Sequence, residues 1–238
     1  MACVLIVKTG DAYPEVVDQH GDFETLFEKQ LSTALPAHLE VQVWDARRNP
    51  TPPALDTLAG ILITGSHSMV SDAEPWSEAL KPWLQDALAN DTPMLGVCYG
   101  HQLMAAAFGG VSDYHPAGRE SGTHTVRLTL AGQQDPLFSQ LPESFAAHLS
   151  HAQSVMQAPH GCTVLAHNSH DAHQALRYGP RQWSVQFHPE FSVPVMRAYI
   201  ERQRAVLRDQ GKNPASLSAE VTDASDAASL LTRFLAFV

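Results

Sequence analysis

Three short apolar runs in the first half of the chain constrain its fold more than any other feature. They are CVLIV at 3–7, AGILITG at 59–65 and PMLGVC at 93–98, and a helical pattern follows each of them. Continuous apolar runs of this length are typical of strands buried on both faces. Strands that alternate with helices in this way need crossover connections, which make neighbouring strands parallel. The sequence therefore predicts an α/β fold with a mostly parallel central sheet flanked by helices.

The other segments extend this architecture. LEVQVWD at 39–45 alternates as a strand, and helical patterns cover 22–34, 75–90 and 101–108. From Gly122 onward, short strand patterns separated by Pro, Gly and Asn predict an antiparallel extension of the sheet; they are THTVRLTL, SFAAHLSH, CTVLAHN, HQALRYG and QWSVQF.

The C-terminal part is predicted to be helical. A helix is expected over 194–210, a linker at GKNPAS, and a terminal amphipathic helix over 222–237 capped by Thr222 or Asp223. We predict a main domain over 1–205 and a linker with a C-terminal helical appendage over 206–238.

The pentapeptide G-V-C-Y-G at 96–100 lies between a predicted buried strand and a predicted helix. Glycines on both sides of a central residue allow a sharp strand-to-helix turn that exposes the middle side chain at the carboxyl edge of the sheet. Cys98 would then lie at a helix N-terminus, whose dipole favours the thiolate. The backbone N–H of Tyr99 would face the same space and can stabilise an oxyanion. This pattern predicts a nucleophilic cysteine.

A second motif, S-V-Q-F-H-P-E at 184–190, supplies a partner for that cysteine. His188 and Glu190 are two residues apart on backbone that Pro189 holds extended, so their side chains leave on the same side. Glu190 can accept a hydrogen bond from one imidazole nitrogen, while the other exchanges a proton with a thiol. The two motifs together predict a Cys–His–acid triad.

The second apolar run leads into Thr64-Gly65-Ser66, at the edge of the sheet where Cys98 should emerge. Gly65 allows a backbone N–H to approach a substrate oxygen closely. The segment 64–72, TGSHSMVSD, is rich in Gly and Ser, and we expect it to change between two backbone states.

Charge and cysteine content exclude several other functions. With 15 Lys and Arg against 25 Asp and Glu, the formal net charge is −10, whereas non-specific binding to nucleic acid or to anionic membranes needs a basic surface. No apolar run approaches the ~18 residues of a membrane span, and the first run has no basic region before it, so we expect no membrane anchor or signal peptide. The odd number of widely spaced cysteines (Cys3, Cys98, Cys162) predicts free thiols and a reducing, cytoplasmic location.

Histidines are frequent between residues 101 and 173, where nine of the 13 occur. On strands, residues three apart, such as His148 and His151, point to opposite faces. We therefore predict no metal site and assign these histidines to packing and surface positions.

These segments together resemble the class I glutamine amidotransferases, the triad type. The resemblance covers residues 1 to about 200 and rests on PMLGVCYGHQLMAAAFGG at 93–110 and VQFHPE at 185–190, supported by LSHAQSV at 149–155 and APHGCTVLAHN at 158–168. The chain has neither a G-x-x-x-x-G-K-[ST] phosphate loop nor a Ser-Gly-Gly-x-Asp-Ser loop. It is therefore similar to the stand-alone, GMP-synthase-like amidotransferase domains.

The resemblance implies a role for each catalytic residue. Cys98 would attack the glutamine side-chain amide to give a glutamyl thioester, releasing ammonia and then glutamate. His188 would act as general base and acid, and Glu190 would orient it. Gly65 and Tyr99 would supply the oxyanion-hole amides, although Gly65-Ser66-His67 stands where many relatives have Gly-Gly-Pro.

The resemblance also implies the substrate site. Gln102 matches a family position that contacts the glutamine substrate, and Ser150, Ala152 and Gln153 match the segment that holds its α-amino and carboxylate groups; many relatives have Gly-Asp in place of Ala152-Gln153. The expected substrate is L-glutamine or a γ-glutamyl compound. A separate synthetase subunit is the expected partner, and no cofactor is expected.

Two alternatives remain open at this point. The same triad would serve a stand-alone hydrolase of γ-glutamyl peptides or amides, and a non-catalytic regulatory module would use the fold alone. The intact Cys98, His188 and Glu190 count against the regulatory module. An α/β-hydrolase is disfavoured because its His follows the acid in chain order, whereas Glu190 follows His188.

Overall fold

A nine-stranded sheet runs through the structure, a computed structural model that describes residues 2–238. The strands are β1 (Ala2–Lys8), β2 (Leu39–Asp45), β3 (Leu58–Ile63), β4 (Met94–Val97), β5 (Val111–Tyr114), β6 (Glu120–Leu128), β7 (Ser144–His151), β8 (Gln153–Gln157), β9 (Thr163–His167), β10 (Ala175–Gly179) and β11 (Gln182–Val185). The helices are α1 (Pro14–His20), α2 (Phe23–Leu31), α3 (Pro75–Ala89), α4 (Tyr99–Ala107), α5 (Leu130–Gln133), α6 (Val193–Arg202), α7 (Arg204–Asp209), α8 (Pro214–Ala219) and α9 (Ser225–Phe234). Short 3₁₀ turns cover Leu55–Thr57, Val70–Asp72 and Leu235–Phe237.

The order of strands in the main sheet is β2-β1-β3-β4-β11-β10-β9-β6-β7, and β5 pairs with β8 in a small separate sheet. In this spatial order, the four neighbouring pairs between β2 and β11 are parallel. The four neighbouring pairs between β11 and β7 are antiparallel. The predicted α/β class, with a mostly parallel centre and an antiparallel extension, is confirmed. One detail differs: QWSVQF was expected among the antiparallel strands, but β11 also pairs in parallel with β4, because it is the strand where direction changes.

The buried strands divide their side chains between two cores. In β1, Val4 and Ile6 pack on one face of the sheet, whereas Leu5 and Val7 pack on the other. Because both faces are covered, alternate residues are equally buried, which explains the continuous apolar run.

The helical end of the chain contributes to the first of these cores. Leu230, Leu231 and Phe234 of α9 lie in the same cluster as Val4 and Ile6. The division of the chain into 1–205 and 206–238 stays a prediction. No helix within residues 2–238 has the length and apolar character needed to cross a membrane.

Three helix boundaries differ from the sequence-based expectation. The helix expected over 194–210 is interrupted at Gln203, which lies between α6 and α7. The expected linker GKNPAS contains the start of α8, where the Asn213 side chain accepts hydrogen bonds from the first turn. The terminal helix has Ala224 rather than Thr222 or Asp223 at its N-cap, although the Asp223 carboxylate accepts a hydrogen bond from Ser225 N at 3.1 Å.

Candidate active site

Cys98 occupies a strained turn between β4 and α4. Its backbone has φ 52° and ψ −100°, a conformation rare for residues with a side chain. The flanking glycines are required by close approach: a Cβ atom at Gly96 would lie 2.6 Å from Met104 Sδ, and one at Gly100 would lie 2.7 Å from Ile63 O. The turn is therefore as sharp as the two glycines predict, and it places Cys98 at the carboxyl edge of the sheet.

The sheet itself brings His188 to Cys98. β4 and β11 are parallel neighbours, and the ladder continues through Cys98 N, which donates to Val185 O at 2.8 Å. His188 follows three residues later, and its own N–H donates to His148 O at 2.8 Å. Backbone hydrogen bonds thus fix the positions of both residues.

His188 and Glu190 form a buried pair. The distance from His188 Nδ1 to Glu190 Oε1 is 2.7 Å, and both residues are at most 3% exposed. The Phe191 ring stacks on the imidazole, with centroids 4.0 Å apart. Burial lowers the pKa of His188, but the Glu190 carboxylate and the adjoining Cys98 outweigh this effect and raise the pKa to about 10. The imidazole therefore carries both protons at neutral pH, which suits it to pair with a thiolate.

Gly65 lies directly against this imidazole, because a Cβ atom at Gly65 would be 3.0 Å from His188 Cε1. Its backbone is held by two threonines. The Thr9 hydroxyl lies 2.9 Å from Thr64 O and 3.1 Å from Gly65 O, and Thr64 Oγ1 lies 3.0 Å from Gly65 O. We call these contacts the threonine clamp. The clamp holds the carbonyls of Thr64 and Gly65, the first two residues of the 64–72 segment that is expected to change between two backbone states.

The residues predicted to bind substrate lie around one small cavity of about 60 Å³ that also contains Cys98. Its walls include Gln102, Ser150, Ala152 and Gln153. The structure therefore brings these four residues together with Cys98.

Two of these side chains are already engaged within the protein. The Gln102 amide nitrogen donates to Gln153 O at 2.7 Å and to Gln186 Oε1 at 2.9 Å. The Gln153 amide contacts Ser71, accepting from its N–H at 3.3 Å and donating to its hydroxyl. The Gln153 side chain therefore ties β8 to the Val70–Asp72 turn.

The other predicted oxyanion residue, Tyr99, is the first residue of α4, where a backbone N–H has no acceptor within the helix. Its side chain points away from the cavity into the core and donates to Ser77 Oγ at 2.8 Å. Only the backbone of Tyr99 is thus available to the site.

A buried contact between His151 and Glu120, which sequence reasoning missed, supports the 150–153 segment. His151 Nε2 lies 3.0 Å from Glu120 Oε2, and His151 Nδ1 donates to Gln153 O at 2.8 Å. Burial raises the pKa of Glu120, but the hydrogen bond from His151 outweighs it, so this pKa lies below its usual value. The carboxylate also accepts from Asn168 and Gln174. The pair fixes the backbone of 151–153, and its 31-residue separation left no sequence signal.

Sequence reasoning also missed several residues of the cavity wall, among them Tyr13, His67, Arg119 and Gln203. The His67 ring stacks on Tyr13 with centroids 4.0 Å apart. Burial and the charge of His188 lower the pKa of His67 to about 4, so its ring is neutral. Within residues 2–238, no three His, Cys, Asp or Glu side chains lie close enough to share a metal ion.

Comparison with known proteins places this geometry in a family context. The family model "Glutamine amidotransferase class-I" matches residues 15–206. The chain is similar to the A subunit of the glutamine-hydrolysing GMP synthase of Halobacterium salinarum, with 31% identity over 74% of this chain and 87% of that protein. It is also similar to "Gamma-glutamyl-L-1-hydroxyisopropylamide hydrolase" of a Pseudomonas species, with 35% identity over 56% of this chain. The latter alignment spans 47% of the Pseudomonas protein.

Among solved structures, a glutamine amidotransferase from Thermotoga maritima superimposes with a TM-score of 0.75. The alignment covers 99% of this chain and 96% of that chain at 18% identity. At this identity the likeness concerns the fold, and it includes the C-terminal helices.

Proposed function

The chain belongs to the class I glutamine amidotransferase family and is an enzyme of the glutamine amidotransferase type, and we propose that Cys98, His188 and Glu190 are its catalytic triad. The observation that carries the proposal is the joint placement of the three residues. A Gly-flanked turn at positive φ presents Cys98, and the neighbouring parallel strand brings the buried His188–Glu190 pair to it.

The proposed reaction begins with the Cys98 thiolate and the His188 imidazolium. The sulfur attacks the side-chain carbonyl carbon of the γ-glutamyl group, and the oxygen gains the negative charge. The backbone N–H groups of Gly65 and Tyr99 then stabilise this oxyanion. His188 gives its proton to the departing nitrogen, so that ammonia or an amine leaves and a glutamyl thioester remains.

The second half of the reaction reverses these roles. His188 takes a proton from water, the resulting hydroxide attacks the thioester, and glutamate leaves as the thiolate re-forms. Glu190 holds the Nδ1 proton throughout, which keeps Nε2 available for transfer. No cofactor enters this scheme, and the γ-carboxyl group of the product loses its remaining proton to water as glutamate leaves.

The natural leaving group distinguishes two forms of the proposal. The Halobacterium relative is named for its place in a glutamine-hydrolysing synthase, which favours glutamine as substrate and a separate synthetase as the partner. The Pseudomonas relative is named as a hydrolase of a γ-glutamyl amide, which favours a stand-alone hydrolase. The threonine clamp supports activity without a partner, because it holds the Gly65 backbone in the lone chain.

The first experiment tests the triad. Purified protein is incubated with glutamine and with a panel of γ-glutamyl amides and peptides, and glutamate release is followed. We expect Cys98→Ala to abolish release on every substrate, whereas Cys162→Ser, outside the cavity, keeps it. Turnover by Cys98→Ala above a trace would refute the covalent mechanism.

The second experiment identifies the leaving group from the ratio of kcat/KM for the best γ-glutamyl peptide to that for glutamine, measured without any partner. An enzyme that serves a synthetase should turn glutamine over slowly on its own, below the ~10 s⁻¹ median of enzymes, and should show no strong preference for a peptide. A ratio strongly in favour of a peptide would identify a stand-alone hydrolase.

A further inference from the structure

Two side chains in the wall of the Cys98 cavity each have a buried polar atom without a hydrogen-bond partner. They are the Nε atom of Arg119, a donor, and the Oε1 atom of Gln203, an acceptor. Leaving a buried polar group unpaired is unfavourable, so such atoms in a cavity wall indicate that a ligand completes them.

Arg119 provides an uncompensated positive charge. Among residues 2–238, no carboxylate forms an ion pair with it, although the chain has a net charge of −10. Its main chain is held at both ends of the residue: Arg119 N donates to Gln210 Oε1 at 3.1 Å, and Arg119 O accepts from Lys212. A guanidinium with free N–H groups, carried on a main chain held in this way, matches a carboxylate.

Gln203 provides the opposite polarity. It is 5% exposed, and its side chain enters the cavity because the helix breaks between α6 and α7. Its amide nitrogen donates to Ser150 Oγ at 3.0 Å, which turns the carbonyl oxygen away from that partner. This oxygen is suited to accept a hydrogen bond from an ammonium group.

Both side chains adjoin the segment that the family resemblance assigns to the substrate's amino-acid group. Ser150 is the partner of Gln203, and Ala152 O accepts from His115 N at 3.0 Å, at the start of the turn that leads to Arg119. A γ-glutamyl substrate carries one carboxylate and one ammonium on its α-carbon. The two unpaired atoms have the two polarities that this group requires.

We infer that Arg119 binds the α-carboxylate of the γ-glutamyl substrate and that Gln203 binds its α-ammonium group. This inference rests on the proposed function. These two residues then select the substrate by its amino-acid group, whatever leaving group it carries. They also make the site stereospecific, because exchanging the two groups would place the ammonium against the guanidinium.

The test uses two reagents that differ only in the configuration of this group and a third that lacks the group. The L and D forms of 6-diazo-5-oxonorleucine are glutamine-shaped diazoketones that alkylate a thiol, and iodoacetamide alkylates it without an amino-acid group. The rate constant for labelling Cys98 is measured by peptide mass spectrometry in the wild-type chain and in Arg119→Met, Arg119→Lys and Gln203→Met.

We expect the wild-type chain to react faster with the L form than with the D form. Arg119→Met and Gln203→Met should each lower the rate constant for the L form by about 10- to 100-fold and reduce the L/D ratio. Arg119→Lys should restore part of the loss. The rate with iodoacetamide should stay within about twofold, which shows that Cys98 remains reactive and the variants fold. Arg204→Met, which removes an exposed charge next to Gln203, should behave as wild type.

The outcomes separate the inference from the function on which it rests. An L/D ratio that is unchanged in both Met variants overturns the assignment of Arg119 and Gln203 and leaves the triad untouched. A wild-type chain with no preference for the L form overturns the γ-glutamyl substrate itself. Equal loss with iodoacetamide and with the L form assigns the two residues to the folding of the site and also overturns the inference.

Discussion

The backbone strain at Cys98 can be measured by comparing alanine and glycine at that position. At φ 52° and ψ −100°, a side chain is strained by about 1–3 kcal/mol, whereas glycine adopts this conformation freely. Replacing alanine by glycine also has two ordinary costs, which are the extra freedom of the unfolded chain and the loss of a buried methyl group. The comparison therefore needs a site where only these two costs apply.

Cys3 serves as that site because its φ is not positive. It is as buried as Cys98, at 6% against 5% exposure, and it pairs in parallel with β2, while the register toward β3 shifts between Cys3 and Val4. There, Cys3→Gly should be less stable than Cys3→Ala by about 0.5–1 kcal/mol for the backbone, plus about 0.8 kcal/mol for the methyl group. At Cys98 the release of strain opposes both terms. The glycine-minus-alanine difference in unfolding free energy should therefore be about 1–3 kcal/mol more favourable at Cys98 than at Cys3.

Urea denaturation of the four variants gives this difference, and thermal unfolding should show it as a shift of roughly 2–12 °C in Tm for a chain of this size. Because none of the Cys98 variants has a thiol there, activity does not enter the measurement. Equal differences at the two sites would show that the turn is relaxed, and the idea of a strained nucleophile would have to be abandoned.

Three further predictions concern the other parts of the site. His188→Ala should lower kcat/KM by several orders of magnitude and Glu190→Gln by less, since the latter disturbs only the orientation and charge of the imidazole; equal losses in steady-state assays would assign a structural role to Glu190. Because the pKa of His188 rises from 6.5 to about 10 on folding, its stabilisation is complete below pH 6.5 and is lost as the pH rises to about 10. Urea titrations should show this decline in the wild-type chain and not in His188→Gln, and parallel profiles would contradict it. Thr9→Val removes the Thr9 hydroxyl from the threonine clamp, so urea denaturation should show a loss of about 1–3 kcal/mol in stability. In steady-state assays the same variant should lower kcat by a larger factor than it raises KM. The exposed Thr51→Val should leave stability, kcat and KM unchanged.

Features encoded locally could be predicted from the sequence. The apolar runs indicated the buried parallel strands, because a strand covered on both faces has no polar positions. The glycines of G-V-C-Y-G predicted the turn at Cys98, since close approach at Gly96 and Gly100 leaves no room for a side chain. The two-residue spacing of His188 and Glu190 similarly anticipated a contact that the structure shows.

Features that depend on distant partners could not be predicted. Gln203 lies in a stretch with continuous helical periodicity, and neither Gly nor Pro marks the break that turns its side chain into the cavity. Arg119 lies in a turn without any periodic pattern. The parallel partner of β11 and the threonine clamp arise only when strands far apart in the chain become neighbours.

The pairing of β4 with β11 constrains the positions of Cys98 and His188 more strictly than the positions of the residues in the cavity wall. The spacing of Cys98 and His188 is fixed by main-chain hydrogen bonds, which do not depend on the identity of side chains elsewhere. Part of the cavity wall comes instead from a turn, a helix break and the 66–69 loop, beside Gln102 of α4 and residues 150–153. Substitutions in these connections can therefore reshape that part of the wall while Cys98 and His188 keep their relative positions. Searches for new substrates among such proteins, and attempts to engineer them, should begin at the connections.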